Sequence, residues 1–169
     1  MKSPCRLEAG HDTRAFDCGD ELLNSFLKKS AWPNQVSKST FTYVLIEENR
    51  VIAYYSLAVG SVIHEEVLAP VSKSGLGKKD ITVLRISRLA VDRTKQGQQI
   101  GSHMLKDALS RACAIAQNTG IRCVVVDAKN EAAEKFYRQY NFEPWPIDGF
   151  CLYLLMKDVR TSLSYTEAN

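Results

Sequence analysis

Long apolar runs are missing from this chain of 169 residues. Nothing in it approaches the roughly 20 consecutive apolar residues that a membrane-spanning helix needs, so no membrane anchor is expected. The opening residues, Met1-Lys2-Ser3-Pro4-Cys5, lack the apolar stretch of a secretory signal, and a cytoplasmic location is expected. Histidine is scarce. His11, His64 and His103 lie far apart and show no ligand spacing, which argues against a metal site. The five cysteines (Cys5, Cys18, Cys113, Cys123, Cys151) are odd in number and form no CxxC pair. They read as free thiols of a reducing compartment, neither disulfide staples nor zinc ligands. Repeats and low-complexity tracts are absent too.

What is present is the composition of an ordinary globular domain, with 45% hydrophobic and 24% charged residues. The net charge of +3 is a mild bias that fits either plain solubility or an anionic partner. Leu22, Leu23, Phe26 and Leu27 recur at helical spacing and predict a helix over about Asp20–Ser30, ended or kinked at Trp32-Pro33-Asn34. Two β-rich runs, Phe41–Glu48 and Val51–Val62, flank a turn at Glu48-Asn49-Arg50 and predict an antiparallel hairpin. Residues Lys73–Lys79 read as a polar loop, and Ile81–Val91 as a further strand. A long helix with the apolar stripe Ile100, Leu105, Ala108, Leu109, Ala112 and Ile115 follows, with Gly120 expected at its C-cap. Arg122–Ala128 is a buried strand by composition, Asn130–Tyr140 a helix with Asn130 as N-cap, and Phe142 onward and Phe150–Met156 the last strands. Residues 1–160 are expected to form one domain, with 161–169 a flexible tail. The order of elements predicts the α/β class: a central mixed sheet with helices on its faces.

The segment most suggestive of chemistry is the strand-to-helix turn Gln96-Gly97-Gln98-Gln99-Ile100-Gly101-Ser102. The first N–H groups of a helix have no partner within it, and the helix dipole makes that end positive. Glycine lets a phosphate come close to the backbone. A turn of this kind is either a phosphate cradle or a plain connection.

The turn resembles the acetyl-CoA motif R/Q-x-x-G-x-G/A of GNAT acetyltransferases, with Gln96 at the first position, Gly101 at the last, and Gln99 where the family usually has its middle glycine. A second family signature follows the next strand: Asn130-Glu131-Ala132-Ala133-Glu134-Lys135-Phe136-Tyr137, then Tyr140-Asn141-Phe142, where Asn141 replaces the usual glycine. The resemblance implies a GNAT fold with a mostly antiparallel mixed sheet. It also implies acetyl-CoA as co-substrate, bound by Leu89, Ala90, Val91, Gln96, Gly97, Gln98, Gln99, Ile100, Gly101, Ser102, Asn130, Ala133 and Phe136. A narrower likeness runs through Phe16-Asp17-Cys18-Gly19, Leu22-Leu23-Asn24-Ser25-Phe26-Leu27, Tyr54–Val62 and Arg88-Leu89-Ala90-Val91-Asp92. These segments resemble the GNAT toxins of bacterial toxin–antitoxin pairs. Such toxins acetylate the free amino group of aminoacyl-tRNA and block translation. Their antitoxins are small ribbon-helix-helix DNA-binding proteins. The implied partners are thus aminoacyl-tRNA and such an antitoxin, with a homodimer as a further expectation.

The reaction is attack of an amine on a thioester. An α-amino group titrates at about 7.7–8.0, so roughly a tenth is neutral at pH 7, and such an acceptor needs no strong enzymic base. A thiolate leaving group, pKa about 8.5, can take a proton from a phenol of about 10 as it forms. The helix pattern of Tyr137 alone fits a packing residue; the family context implies the general acid. His64, beside Glu65 and Glu66, is either a proton relay or a surface turn residue. Arg85, Arg88 and Arg93 either meet RNA phosphate or form a solvated rim, and Lys28 and Lys29 read as a solvated helix face. Two other functions compete: acetylation of a small amine or protein amine, and a non-catalytic acetyl-CoA-binding module, which the presence of Tyr137 disfavours.

Overall fold

The computed structural model describes residues 2–62, 81–145 and 150–165. His64 and the Lys73–Lys79 loop lie outside the described residues. Seven strands form one sheet in the order β1-β2-β3-β4-β5-β7-β6. They are β1 (Cys5–Arg6), β2 (Phe41–Glu47), β3 (Arg50–Val62), β4 (Ile81–Val91), β5 (Cys123–Asp127), β6 (Glu143–Pro144) and β7 (Cys151–Leu155). The chain clusters into two compact units, and β3, β4 and the long helix α3 (Ile100–Ala116) each contribute to both.

The first unit comprises Met1–Ala58 and Ile86–Ala108. Its β2 and β3 pair antiparallel, with Tyr43 opposite Tyr55 and Glu47 opposite Arg50. The predicted turn is there. Glu48 (φ 48°) and Asn49 (φ 67°) are both left-handed, the two-residue geometry whose twist matches a hairpin. The core gathers Leu7, Phe16, Phe26, Val44, Tyr54 and Ala90. Tyr54 is fully buried, packs against the rings of Phe16 and Phe26, and donates its hydroxyl proton to Leu23 O at 2.8 Å. Its phenol thereby loses water without losing a hydrogen bond.

One helix was expected between Asp20 and Ser30, and the chain builds three consecutive helical pieces. Asp20 caps α1 (Glu21–Ser25) by accepting the Leu22 and Leu23 N–H groups. A π-helical turn, Phe26–Ser30, follows, and then α2 (Ala31–Val36). Pro33 does not stop the helix. It is the third residue of α2, where the missing N–H is one that the first turn of a helix does not require, and the wide π turn before it admits the ring.

The second unit comprises Val59–Arg85 and Leu109–Asn169. Its β5 reads Cys-Val-Val-Val-Asp, and its first four residues are buried, as expected of a strand covered on both faces. It pairs antiparallel with β7, Val125 opposite Tyr153, and β6 pairs with β7 through Glu143 opposite Tyr153. Ile81, Val83, Cys123, Val125, Trp145 and Tyr153 form its core. Burial pushes the Cys123 thiol up to about 12, so it is an inert core group.

Within α3, Ile100, Met104, Leu105, Ala108, Leu109 and Ala112 are buried at helical spacing. Its C-terminus differs from the sequence expectation. Gly120 is not left-handed, and the Ile115 carbonyl is satisfied instead by the Asn118 N–H at 3.1 Å and the Thr119 hydroxyl at 2.8 Å. Helix α4 (Glu131–Arg138) starts at Asn130 as expected. The last helix, α5 (Met156–Tyr165), runs past Arg160, so residues 161–165 are helical where composition suggested a tail.

Candidate active site

The first unit holds the strand-to-helix turn. Strand β4 ends at Val91, with Ala90 buried and Leu89 and Val91 half-buried. Asp92 follows, 4% exposed, and caps a 3₁₀ turn, Arg93–Lys95, by accepting the Thr94 N–H at 3.0 Å and hydroxyl at 2.6 Å. Burial alone would raise its carboxyl; the bonds from Thr94 and from the Asp17 N–H outweigh burial and hold it below the ordinary range. Beyond it, Gly97 (φ 77°) and Gln99 (φ 60°) are both left-handed. Position 99, where the motif leads one to expect glycine, is left-handed here, a conformation Gln99 takes at some steric cost. A Cβ built on Gly97 would touch nothing within 4 Å, so the backbone there faces open space. The first hydrogen bond entering α3 runs from the His103 N–H to Gln99 O at 3.1 Å. The N–H groups of Ile100, Gly101 and Ser102 therefore lie at the helix's open, positive end. Such a donor set, with a glycine that leaves room, suits a phosphate anion.

Side chains around the turn are largely committed. Gln96 donates through Nε2 to Val91 O at 3.0 Å and to Cys18 O at 3.1 Å. Gln98 donates to Thr94 O at 3.4 Å. Arg93 pairs with Asp17 at 2.7 Å and Lys95 with Glu47 at 2.5 Å. Arg88 lies 3.7 Å above the Phe26 ring, a cation–π contact. Of the three candidate arginines, Arg88 and Arg93 belong to this unit.

Arg85 belongs to the second unit, where its guanidinium pairs with Asp127. After β5 the chain reaches Asn130, extended, whose side-chain oxygen accepts the Ala133 N–H at 2.9 Å. That cap starts α4 and orients its residues. Ala133 and Phe136 are half-buried and Tyr137 is buried, 7% exposed. The Tyr137 ring meets Phe136 edge-on at 5.2 Å and Phe142 at 5.6 Å. Burial raises its phenol pKa well above the ordinary value, and the Asp127 carboxylate pushes in the same direction. Tyr137 is therefore protonated at neutral pH, the state a proton donor needs. Asn141 is left-handed (φ 63°), as expected of the residue standing in for glycine. Its amide donates to Ser162 Oγ at 3.1 Å and fixes the turn after α4. Among the described residues no three His, Cys, Asp or Glu side chains cluster as a metal would require.

The acetyltransferase (GNAT) domain matches residues 38–144 of this sequence. The chain belongs to the GNAT acetyltransferase family. A tRNA-acetylating toxin of Mycobacterium tuberculosis is 37% identical over 158 residues, 94% of each protein. A probable toxin TacT of Sinorhizobium fredii is 28% identical over 162 residues, 89% of this chain and 88% of that one. The solved structure of AtaT complexed with acetyl-methionyl-tRNAfMet has a TM-score of 0.84 at 27% identity, covering 94% of this chain and 97% of that one. The seven-stranded, mostly antiparallel sheet is a GNAT sheet, as the sequence motifs implied.

In this GNAT chain the motif spacing points to the turn and to Tyr137, and gives no sign of the contacts around the turn. The buried carboxylate of Asp92 and the pair Asp17–Arg93 are tertiary contacts across about 75 residues of sequence, and no local pattern announces them. Asp17 and Asn24 were visible only as parts of the narrower family likeness.

Proposed function

We propose that this GNAT acetyltransferase is the toxin of a toxin–antitoxin pair, transferring the acetyl group of acetyl-CoA to the free α-amino group of an aminoacyl-tRNA and so blocking translation in the cytoplasm. The observation that carries the reading is the 37% identity, over 94% of both proteins, to a tRNA-acetylating toxin. A solved relative is bound to acetyl-methionyl-tRNAfMet, and another, a Tyr→Phe variant of AtaT, to acetyl-CoA and the C-terminus of the antitoxin AtaR.

In this reading the turn Gln96–Ser102 receives the pyrophosphate of acetyl-CoA on the N–H groups opening α3. Leu89, Ala90 and Val91 offer backbone groups to the pantetheine arm, and Asn130, Ala133 and Phe136 line the cofactor from α4. Bound acetyl-CoA supplies the activated thioester. Tyr137, protonated at neutral pH, donates its proton to the sulfur as the C–S bond breaks, and the proton shed by the acylated amine restores the hydroxyl. The acceptor amine is already neutral in part near pH 7, so no strong base is required of the chain. Arg85, Arg88 and Arg93 contribute positive charge toward RNA phosphate; each holds a partner in the free protein and exchanges or shares it on binding. A ribbon-helix-helix antitoxin and a homodimer complete the proposed assembly.

Labelled acetyl-CoA incubated with charged total tRNA tests the reading. Label recovered on the α-amino group of aminoacyl ends is the expected result. Label transferred only to a small amine or to protein lysines would replace the toxin reading with the broader acetyltransferase one.

A further inference from the structure

We infer that the segment Asp17-Cys18-Gly19, locked by Asn24, is a brace that sets the conformation of the acetyl-CoA turn, and that Asp17, Asn24 and Asp92 are positioning residues for the co-substrate. The inference rests on the acetyl-CoA reading of the turn given above and assigns these residues a task within it.

Polar groups all along the segment are spent in two directions. Toward the turn, the Asp17 N–H donates to Asp92 Oδ2 at 3.0 Å, and the Asp17 carbonyl accepts the Arg93 N–H at 2.8 Å. Asp17 Oδ2 pairs with Arg93 Nη2 at 2.7 Å, and the Cys18 carbonyl accepts Gln96 Nε2 at 3.1 Å. Toward α1, Asn24 Oδ1 accepts the Cys18 N–H at 2.9 Å while its Nδ2 donates to Asp17 Oδ1, also at 2.9 Å. Asp17 Oδ1 in addition accepts the Gly19 N–H at 2.9 Å, closing a tight turn that Gly19 enters at φ 88°.

Asn24 is 6% exposed and Asp92 4% exposed, so both act where water competes little. The result is a ladder of four contacts binding one short loop to Asp92, Arg93 and Gln96, the residues that launch the cofactor turn. Gln96 is the rung that reaches the motif itself, since the same Nε2 also holds Val91 O. Two left-handed residues, Gly97 and Gln99, follow at once, and a turn so shaped needs an outside constraint to hold its N–H groups in one direction before a ligand arrives. The brace supplies that constraint. Its loss costs affinity for the co-substrate, because the turn must then be ordered on binding, while the proton donor in the other unit is untouched.

The test compares wild type with Asn24→Ala and Asp17→Asn, in the full chain, with acetyl-CoA as the probe. Calorimetry gives Kd without acceptor, and steady-state rates give KM for acetyl-CoA and kcat separately. Both variants are expected to weaken Kd and KM together, by about tenfold for Asn24→Ala and less for Asp17→Asn, with kcat within about twofold of wild type. Val44→Ala, a buried substitution in the same core, controls for stability. It is expected to lower Tm and leave Kd where it was. A folded Asn24→Ala with wild-type Kd overturns the brace. If Asn24→Ala does not fold, Asp17→Asn decides alone, since its side chain is 43% exposed and its loss spares the core. Wild-type protein that fails to bind acetyl-CoA would overturn the functional reading itself, an outcome distinct from variants that bind as well as wild type does.

Discussion

The guanidinium of Arg85 on β4 pairs with the carboxylate of Asp127 at the end of β5, and the same carboxylate raises the pKa of Tyr137. One acid thus acts on two residues with proposed roles, on Arg85 by direct pairing and on Tyr137 through its charge. Arg85 is about one-third exposed and Asp127 about half, so solvent screens the pair and its worth to stability is small, within about 1 kcal/mol. Arg85→Ala should therefore shift Tm little, while lowering the affinity for charged tRNA and flattening its salt dependence by about one unit of slope. An unchanged salt slope in tRNA binding would remove Arg85 from the RNA surface.

Asp127→Asn removes a negative charge that disfavours the phenolate. The Tyr137 pKa should fall toward its ordinary value without reaching it, because desolvation is the larger cause and persists. NMR titration of ring-labelled tyrosine, with Tyr137→Phe identifying the resonance, reads the shift directly. A pKa that stays put would mean the carboxylate acts on Tyr137 less than its position implies.

Tyr137→Phe keeps the ring between Phe136 and Phe142 and deletes the transferable proton. Fold and acetyl-CoA affinity should survive. Turnover should drop by roughly two to four orders of magnitude if the hydroxyl is the general acid. In wild type, single-turnover rates should rise from about pH 6 to 9 as the substrate amine loses its proton, with no fall from Tyr137 because its raised pKa lies above that window. A downturn that Tyr137→Phe abolishes would contradict the raised pKa.

Gln99→Gly should stabilise the chain. A left-handed non-glycine residue costs roughly 1–2 kcal/mol, and the greater freedom of glycine in the unfolded state offsets part of the gain, leaving about 0.5–1 kcal/mol. Gly97→Ala should do the reverse by about 1 kcal/mol, purely through backbone strain, since the added methyl meets open space. Chemical denaturation of the two variants, which need not bind any ligand, checks both signs.

Asp92 has a depressed pKa in the fold, so its contribution to stability is fully present above the unfolded carboxylate value of about 3.9 and is lost as pH falls through the lower folded value. Asp92→Asn should be less stable than wild type at pH 7, and the gap should narrow below about pH 4 as the wild-type carboxyl protonates. A gap that is constant from pH 7 to 3 would show that the charge of Asp92 adds nothing to its hydrogen bonds.

Local chemistry in the sequence was enough to find most of the frame. The hairpin was legible because Asn49 tolerates the left-handed region and because β-branched residues flank the turn; β4 was legible because its apolar run is bounded on both sides. Asn130 as N-cap and Asn141 as a glycine substitute were legible for the same reason, each being a property of one residue and its neighbours. Three readings failed where another contact decided. Of the two readings at Trp32-Pro33-Asn34, an end or a kink, the end fails because Pro33 lies inside α2 after a π turn, Thr119 ended α3 in place of Gly120, and residues 161–165 extend a helix where polarity suggested a tail. At the proposed site, the strand-to-helix turn and the helix bearing Tyr137 were legible, and the contacts around the turn were not. Asp92, Asp17 and Asn24 act through partners that only folding brings near.

The chain crosses between its two compact units at residues 58/59, 85/86 and 108/109, each time inside a strand or helix. This has a consequence for synthesis on the ribosome. By the time Ala108 has emerged, every residue of the first unit is available, including Asp17–Gly19 and the Gln96–Ser102 turn. Most of the second, with Tyr137, has yet to be translated. A nascent chain therefore carries every residue of the proposed acetyl-CoA turn before it carries Tyr137, so the proposed chemistry waits on the last third of the polypeptide.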